Sequence, residues 1–544
     1  MTSSMEPHCL AFRELPHTTK LFSTFIDDFP RVGRYYVHPP TEAGVLAAAR
    51  EVRLAPEIRR AVVEVLREQN QRFGGGSAID AATASNLERL AAGAVAIVTG
   101  QQVGLFSGPA YSIYKALSVL RWAEGITRGG VDAVPIFWLA TEDHDLAEVN
   151  HSDWNTRAGL AHYELPERKE DNGKRVGEVE LGDGVKYPVE RAAESLEGSF
   201  VEEAAGALRE SYTPRDTYGS AFGKLMARLL AGRGVILIDP LDARLHRLAA
   251  GVYRGALDQA DSLRDELLAR SKELERSGFH AQVKVTRETT LLFYNVDGRR
   301  QPLRRRNGNF SAGKASFTPD ELRAAIEKSP EAFTANVLLR PVIQDTILPT
   351  AAYIGGPAEI AYMAQAQVAY QALLGRMPAI LPRAGFTLVE PAIARLLTKY
   401  GLDVRDIIRG RQHLRAKMEQ KSLPRALARR FEADDKSLRR MLKAYRKPLE
   451  RLDRTLLGAL DAAERKILHQ FLKLKRKAGR AENFRTGILD RHERFLLDTL
   501  YPHHDLQERR LCALPFIAAS GPQFFDELAR AADLGSPQHH ILFL

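Results

Sequence analysis

Along residues 93–382, short apolar runs that stop at a glycine, a proline or an acidic cluster alternate with stretches of helical spacing. The first run is Val95-Ala96-Ile97-Val98, preceded by Gly93 and ended by Thr99-Gly100. The second is Val134-Pro135-Ile136-Phe137-Trp138-Leu139-Ala140, ended by Thr141-Glu142-Asp143-His144-Asp145. Val235-Ile236-Leu237-Ile238 before Asp239-Pro240, and Ala379-Ile380-Leu381 before Pro382, repeat the pattern. Runs this short and this uniformly apolar suit strands covered on both faces, as in a parallel sheet sandwiched by helices. Residues 43–53, 56–72 (opened by Pro56), 84–92 and 110–124 carry the spacing of helices. The alternation predicts an α/β fold built on a doubly wound parallel sheet. Ligands of such sheets sit beyond the carboxyl ends of the strands, and here the polar clusters fall at those ends.

Residues near 155–215 and 280–335 are more polar and read as insertions. Within the second, Glu288–Val296 predicts a strand, with Asp297-Gly298 as a hairpin turn. Phe73-Gly74-Gly75-Gly76-Ser77 predicts a loop. From residue 396 the chain turns helical. Leu438, Leu442, Tyr445, Leu449, Leu452 and Leu456 alternate spacings of four and three, which predicts a heptad seam; Pro448 inside it predicts a kink or break. The expected organisation is a core over 1–395 with its two insertions, a helical coiled-coil domain over 396–500, and a segment over 501–544 that packs back on the core.

Composition narrows the class. At 544 residues, 44% hydrophobic and 27% charged, the chain has the make-up of a globular protein with a large core. No apolar run approaches the roughly 18–20 residues that span a bilayer. Met1–Arg13 lacks the charged and apolar regions of a signal peptide. Two distant cysteines, Cys9 and Cys512, argue against a disulfide scaffold. A cytoplasmic protein, not a membrane one, is expected. The net charge of +10 is uneven. Residues 396–480 hold about 25 Lys and Arg against about 10 Asp and Glu, leaving the rest of the chain net acidic. That segment reads as a solvated helical face or as a surface for nucleic acid. Few aromatics interleave with its charges, which weighs against RNA binding.

Three constellations carry chemistry. Gly100-Gln101-Gln102-Val103-Gly104-Leu105-Phe106-Ser107-Gly108-Pro109 joins a predicted strand to a predicted helix, where backbone N–H groups can face an anion. It is neither a Walker A loop nor GxGxxG. Gln101 and Gln102 need polar partners, and Lys115 lies one to two turns into the helix. The second constellation, Thr141–Asp145 with Glu148 and His151, offers general acid/base groups or cation ligands. If 144–151 is helical, His144, Glu148 and His151 share a face, and a zinc-dependent hydrolase becomes the alternative reading. The third runs from Arg340-Pro341 and Gln344-Asp345 to Tyr353-Ile354-Gly355-Gly356-Pro357-Ala358-Glu359-Ile360-Ala361-Tyr362. There a glycine turn opens a helix from which Glu359, Tyr362 and Gln365 are spaced to project together.

Taken in order, these segments resemble one family, the bacillithiol biosynthesis cysteine-adding enzymes. The resemblance rests on Thr99–Gly104, Gly108–Tyr111 and Lys115, on Phe137–Asp145 with Glu148–His151, on Arg340–Asp345 and Gly355–Tyr362, and on Leu506-Gln507-Glu508-Arg509 near the end. It implies a Rossmann-like core with connecting insertions, a C-terminal coiled coil that helps form a homodimer, and a ligase joining cysteine to glucosaminyl-malate in the last step towards bacillithiol. ATP or another nucleotide is expected to activate the carboxyl group, since an amide does not form spontaneously from a carboxylate and an amine in water. The expected site has Asp143, His144 and Asp145 as catalytic residues. Gly100, Gln101, Gln102, Gly104, Gly108, Lys115, Glu142, His151, Gln344, Gly356, Glu359 and Tyr362 are expected to hold substrate or nucleotide.

Overall fold

The computed structural model describes residues 8–76, 79–421, 423–532 and 537–544. Ser77 of the predicted loop and residues 1–7 lie outside them. The apolar runs form the strands expected: β1 (Val95–Gln101), β2 (Ala133–Leu139), then, after a hairpin of β3 (His151–Thr156) and β4 (Gly159–Glu164), β5 (Ile236–Ile238). Helix α1 (Tyr111–Arg128) connects β1 to β2, and α2 (Ala243–Asp258) follows β5. The second insertion folds as an antiparallel sheet of β6 (Thr289–Val296), β7 (Arg299–Arg306), β8 (Asn309–Ala312), β9 (Ala315–Phe317) and β10 (Phe333–Ala335), in the order β9-β8-β7-β6-β10. Asp297 and Gly298 turn between β6 and β7 with φ of 54° and 76°, the left-handed pair that a two-residue hairpin requires. The chain then continues through α3 (Arg340–Ile347), β11 (Thr350–Gly355), α4 (Pro357–Leu373) and β12 (Ala379–Pro382).

The central sheet is wholly parallel in the order β12-β11-β1-β2-β5. Counted along the chain, its strands stand fifth, fourth, first, second, third, which is the doubly wound Rossmann order. The winding reverses between β1 and β11. Register aligns the strand ends there: Gly100 lies opposite Trp138, Ile354 opposite Thr99, and the Thr99 hydroxyl donates to the Ile354 carbonyl at 2.8 Å. Gly100-Gln101, Thr141–Asp145 and Gly355-Gly356 therefore leave the sheet along one edge. One face of the sheet buries Ile97, Ile354 and Leu381 against Val119, Trp122 and Ile126 of α1. Strand β11 carries no uniform apolar run, and the sequence pattern misses it: its small residues, Thr350-Ala351-Ala352, suit a strand buried on both faces.

Two compact units divide the chain, Pro7–Phe386 with Glu508–His540, and Thr387–Gln507 with Ile541–Leu544. In the second, the heptad seam is not one continuous helix. Helix α5 (Arg425–Ala444) stops before Tyr445, α6 (Arg446–Leu452) holds Pro448, and α7 (Leu456–Thr486) returns. Phe431 packs on Phe471 at 5.3 Å between ring centres, and Arg446 pairs with Asp461 at 2.8 Å. The coil is thus an antiparallel hairpin reversing near Asp453. Tyr445 and Leu452, expected in the seam, are 55% and 77% exposed. Among the described residues no helix is long and apolar enough to cross a membrane.

Candidate active site

The loop after β1 is locked from behind. Phe106 and Ser107 take φ of 55° and 75°, a left-handed pair unusual for side-chain-bearing residues. Tyr212 holds them: its hydroxyl accepts from the Ser107 amide and donates to the Gly104 carbonyl, both at 3.3 Å. The Cys512 thiol donates to the Phe106 carbonyl at 3.1 Å, and burial pushes that thiol up to about 11. The amides of Gly104, Leu105, Ser107, Gly108, Ala110 and Ser112 all donate within the protein. This narrows the expectation of a backbone anion cradle: polar groups that reach the crevice here come chiefly from side chains. Gly104 and Gly108 serve close approach, since a Cβ on Gly104 would lie 2.9 Å from the Gly108 Cα. Gly104→Ala is expected to cost about 1–3 kcal/mol in urea unfolding, as overpacking does.

Lys115 is positioned by helix geometry. Side chains on α1 lean towards its N-terminus, which carries the ammonium back to the end of β1. It donates to the Gly100 carbonyl at 2.8 Å and to Gln101 Oε1 at 2.9 Å, and pairs with Glu359 at 2.5 Å. Glu359 sits on α4, in the third position after Gly356. Its Oε2 accepts the Gly356 amide at 2.8 Å, a capping contact favoured by the helix dipole. Its Oε1 accepts from the Tyr353 hydroxyl at 2.6 Å. The pair thus spans the switch point. Burial lowers the Lys115 ammonium, with Glu359 opposing. Burial also raises the Glu359 carboxyl, but Lys115 and the Gly356 amide outweigh it and hold it low. The Gln101 amide donates to the Tyr111 hydroxyl at 3.2 Å.

Arg340, at the start of α3, donates to Gln344 Oε1 at 3.0 Å and to the Tyr353 hydroxyl at 3.3 Å. Its guanidinium lies 5.9 Å from the Trp138 ring and 5.5 Å from the Tyr353 ring. Gln344 is fully buried and fixed in turn by Asp345 at 2.8 Å. Tyr362 is buried at the same corner, whereas Gln365 turns away to bond Val283. Glu359, Tyr362 and Gln365 therefore do not project together. Behind Tyr111, Arg383 makes a two-pronged pair with Glu508 at 3.0 and 2.6 Å, so Glu508 of the C-terminal motif supports the same wall.

The acidic cluster splits. The Asp143 carboxylate accepts from Gln102 Nε2 at 3.0 Å and from the His144 amide at 2.7 Å, and lies 3.6 Å from Arg300. Arg300 comes from β7 in the second insertion. It stacks 3.7 Å from the Phe293 ring and donates to Thr334 and Ala335. Its Nη1 lies 2.8 Å from His144 Nδ1. Arginine can only donate, so Nδ1 accepts and the ring proton resides on Nε2. Burial raises the Asp143 carboxyl, but His144, Gln102 and Arg300 outweigh it and hold it well below the ordinary range. Gln102 also reaches Glu148. Asp145 is exposed and outside this network. Glu142 is buried and makes no hydrogen bond to Gln102 or Asp143; its Oε1 faces His246 at 3.3 Å.

Residues 144–151 are not an α-helix: Leu146–Glu148 is a single 3-10 turn, and His151 begins β3, beside Asn150 at 3.2 Å and stacked on His162. His144, Glu148 and His151 do not share a face, and among the described residues no group of three His, Cys, Asp or Glu side chains is arranged to hold a metal. The hydrolase reading loses its geometric basis. Arg300 and His246 are polar residues that sequence reasoning did not place in the site. Arg340 and Tyr353 stood in the third constellation without an assigned role.

A doubly wound sheet with paired charges and a half-buried arginine at its switch point defines a Rossmann-like α/β enzyme. The comparisons specify which. The profile of the bacillithiol biosynthesis BshC N-terminal Rossmann-like domain matches residues 5–384, and that of the BshC C-terminal coiled-coil domain matches residues 386–544. The chain belongs to the BshC family. Relatives named "Putative cysteine ligase BshC" include those of Koribacter versatilis, 39% identical over 99% of this chain and 100% of its own, and Solibacter usitatus, 38% identical over 98% and 99%. That of Salinibacter ruber is 31% identical over 96% of each.

Proposed function

We propose that the protein is a cysteine ligase that joins cysteine to the amino group of glucosaminyl-malate, the last step towards bacillithiol. The observation that carries this reading is Arg340. It is a guanidinium between two aromatic faces, bonded to neutral oxygens of Gln344, Tyr353 and Tyr362. Among the described residues no carboxylate lies within ion-pair distance of it, whereas Lys115 and Arg383 each have one. A half-buried cation without a counter-ion is a receptor for an anion. Both substrates carry carboxylates, and the chemistry needs one of them held.

Asp143, His144 and Asp145 are the proposed catalytic cluster. Gln102 and Arg300 orient the first two, with the His144 Nε2–H left to meet substrate. Carboxyl activation requires a co-substrate, for which we propose ATP or another nucleotide. The residues do not fit the glycine-loop mode of phosphate binding, because the loop amides are committed inward. We also propose that a homodimer forms through apolar residues that the helical hairpin leaves exposed, Met441, Tyr445, Leu472 and Leu474 among them, and that the enzyme works in the cytoplasm.

The test is direct. The purified protein, given cysteine, glucosaminyl-malate and ATP, is expected to yield the condensed thiol by mass spectrometry, together with AMP or ADP. No thiol product with any nucleoside triphosphate would remove the reading.

A further inference from the structure

Behind the acidic cluster lies a pair that the site as described does not use. Glu142 is the residue before Asp143, at the carboxyl end of β2, and is 8% exposed. His246 stands on α2 and is 2% exposed. Glu142 Oε1 and His246 Nε2 face each other at 3.3 Å, and neither atom has a hydrogen-bond partner. Two orphaned polar atoms in one buried spot are costly unless something joins them. A single proton does so, because a carboxyl O–H donates to an imidazole nitrogen. On its other side the imidazole is fixed: Nδ1 lies 3.0 Å from the Tyr253 hydroxyl, and the two rings stack.

The surroundings set the pair's charge. Glu142 is acted on by Arg300, Arg175, Asp239 and Arg340, and His246 by Arg175, Asp242 and the backbone of Phe333 and Pro240. Arg300 and Arg340 are themselves basic groups of the candidate site, so Glu142 lies within electrostatic reach of both. Burial raises the Glu142 carboxyl to about 7, with the arginines opposing. Burial lowers the His246 imidazole to about 4, with Arg175 acting the same way. The geometry provides one shareable proton, and these shifts make it exchangeable near neutral pH.

We propose that Glu142, backed by His246 as its positioning residue, is the base that takes the proton from the attacking amine. This rests on the ligase reading. In the step, the amine nitrogen forms a bond to the cysteine carbonyl carbon, already activated by the nucleoside triphosphate as a mixed anhydride. The N–H proton passes to the Glu142 carboxylate. The carbon–oxygen bond to the activating group breaks, and its electron pair leaves on the phosphate oxygen. His246 then accepts the hydrogen bond of the protonated carboxyl. A base whose midpoint lies near the working pH is the efficient choice for such a transfer.

Glu142→Gln is expected to lower kcat by about 100-fold or more, with KM for cysteine and for the amino sugar within about twofold. The acid limb of the wild-type kcat profile, with its midpoint near the Glu142 value, is expected to vanish in this variant. His246→Phe keeps a ring in place but removes the acceptor. It is expected to move the midpoint of that limb by about one pH unit while leaving KM unchanged. A Glu142→Gln enzyme within about threefold of wild type, or a His246→Phe enzyme with an unmoved midpoint, overturns the proposal. The infrared carbonyl band of a protonated carboxyl separates this outcome from failure of the ligase reading. In wild-type protein titrated without substrate, a band that disappears as pH rises through neutrality and is absent from Glu142→Gln supports the shared proton whatever the reaction; its absence from wild type overturns it.

Discussion

Lys115→Met is expected to lower stability by about 3–5 kcal/mol and to abolish product formation. Lys115 is 2% exposed, and its ammonium serves three acceptors: the Gly100 carbonyl, Gln101 and Glu359. Without it, Glu359 stays charged in a buried crevice with only the Gly356 amide and the Tyr353 hydroxyl to hold it. An uncompensated buried charge costs more than the pair itself contributes. The double variant Lys115→Met/Glu359→Gln removes that charge and keeps an acceptor for the helix cap. It is expected to recover all but about 1–2 kcal/mol. Urea unfolding followed by tryptophan fluorescence is the measurement. All three tryptophans, Trp122, Trp138 and Trp154, belong to the unit that holds the site, so the signal reports on it alone. If the double variant regains both stability and product, the pair is scaffold and the switch point is not where substrate binds.

This pair shows what was legible in the sequence. Lys115 was visible beyond a predicted strand end, and Glu359 beyond a glycine turn that opens a predicted helix. That they meet depends on the strand order, and the order depends on β11. Its Thr350-Ala351-Ala352 start has no apolar run to betray it, although all three residues are fully buried. Gly355-Gly356-Pro357 was legible as a helix start, because proline fixes φ in a first turn and needs no N–H partner there.

Other elements were read by the wrong period. A spacing of four and three, from His144 to Glu148 to His151, fits a helix face, yet the Leu146 turn and the pairing of β3 with β4 override it. The Leu438–Leu456 seam kept a heptad spacing through a chain reversal, since leucines in separate helices of a hairpin can preserve it by chance. Arg300 was illegible for a different reason. It lies 156 residues from His144, on a strand of an insertion that composition marks only as polar. Nothing local distinguishes it from Arg304 or Arg306, which pair with Glu288 on the surface. What turns Arg300 inward is its place beside Phe293, Thr334 and Ala335, which only the folded sheet brings together.

Asp143→Asn tests whether that inward arginine serves chemistry. Donors converge on both carboxylate oxygens: Gln102 Nε2 on one, the His144 amide on the other, and Arg300 3.6 Å from the latter. Asparagine replaces one acceptor by an NH2 group and sets donor against donor. His144 should then lose its fixed orientation, and the rate of product formation is expected to fall by about 100-fold or more. The stability cost should be smaller. The Asp143 side chain is 35% exposed, so solvent screening limits its contribution to about 1 kcal/mol. The sign follows from its depressed value. Such a carboxylate stabilises the fold above its unfolded midpoint of about 3.9, and that contribution is lost as pH falls through the lower folded one. Unfolding curves of wild type and Asp143→Asn should therefore differ at neutral pH and converge in strong acid. A variant that keeps full activity removes Asp143 from the mechanism. A stability gap that persists unchanged in strong acid means that the lost interaction is packing rather than charge.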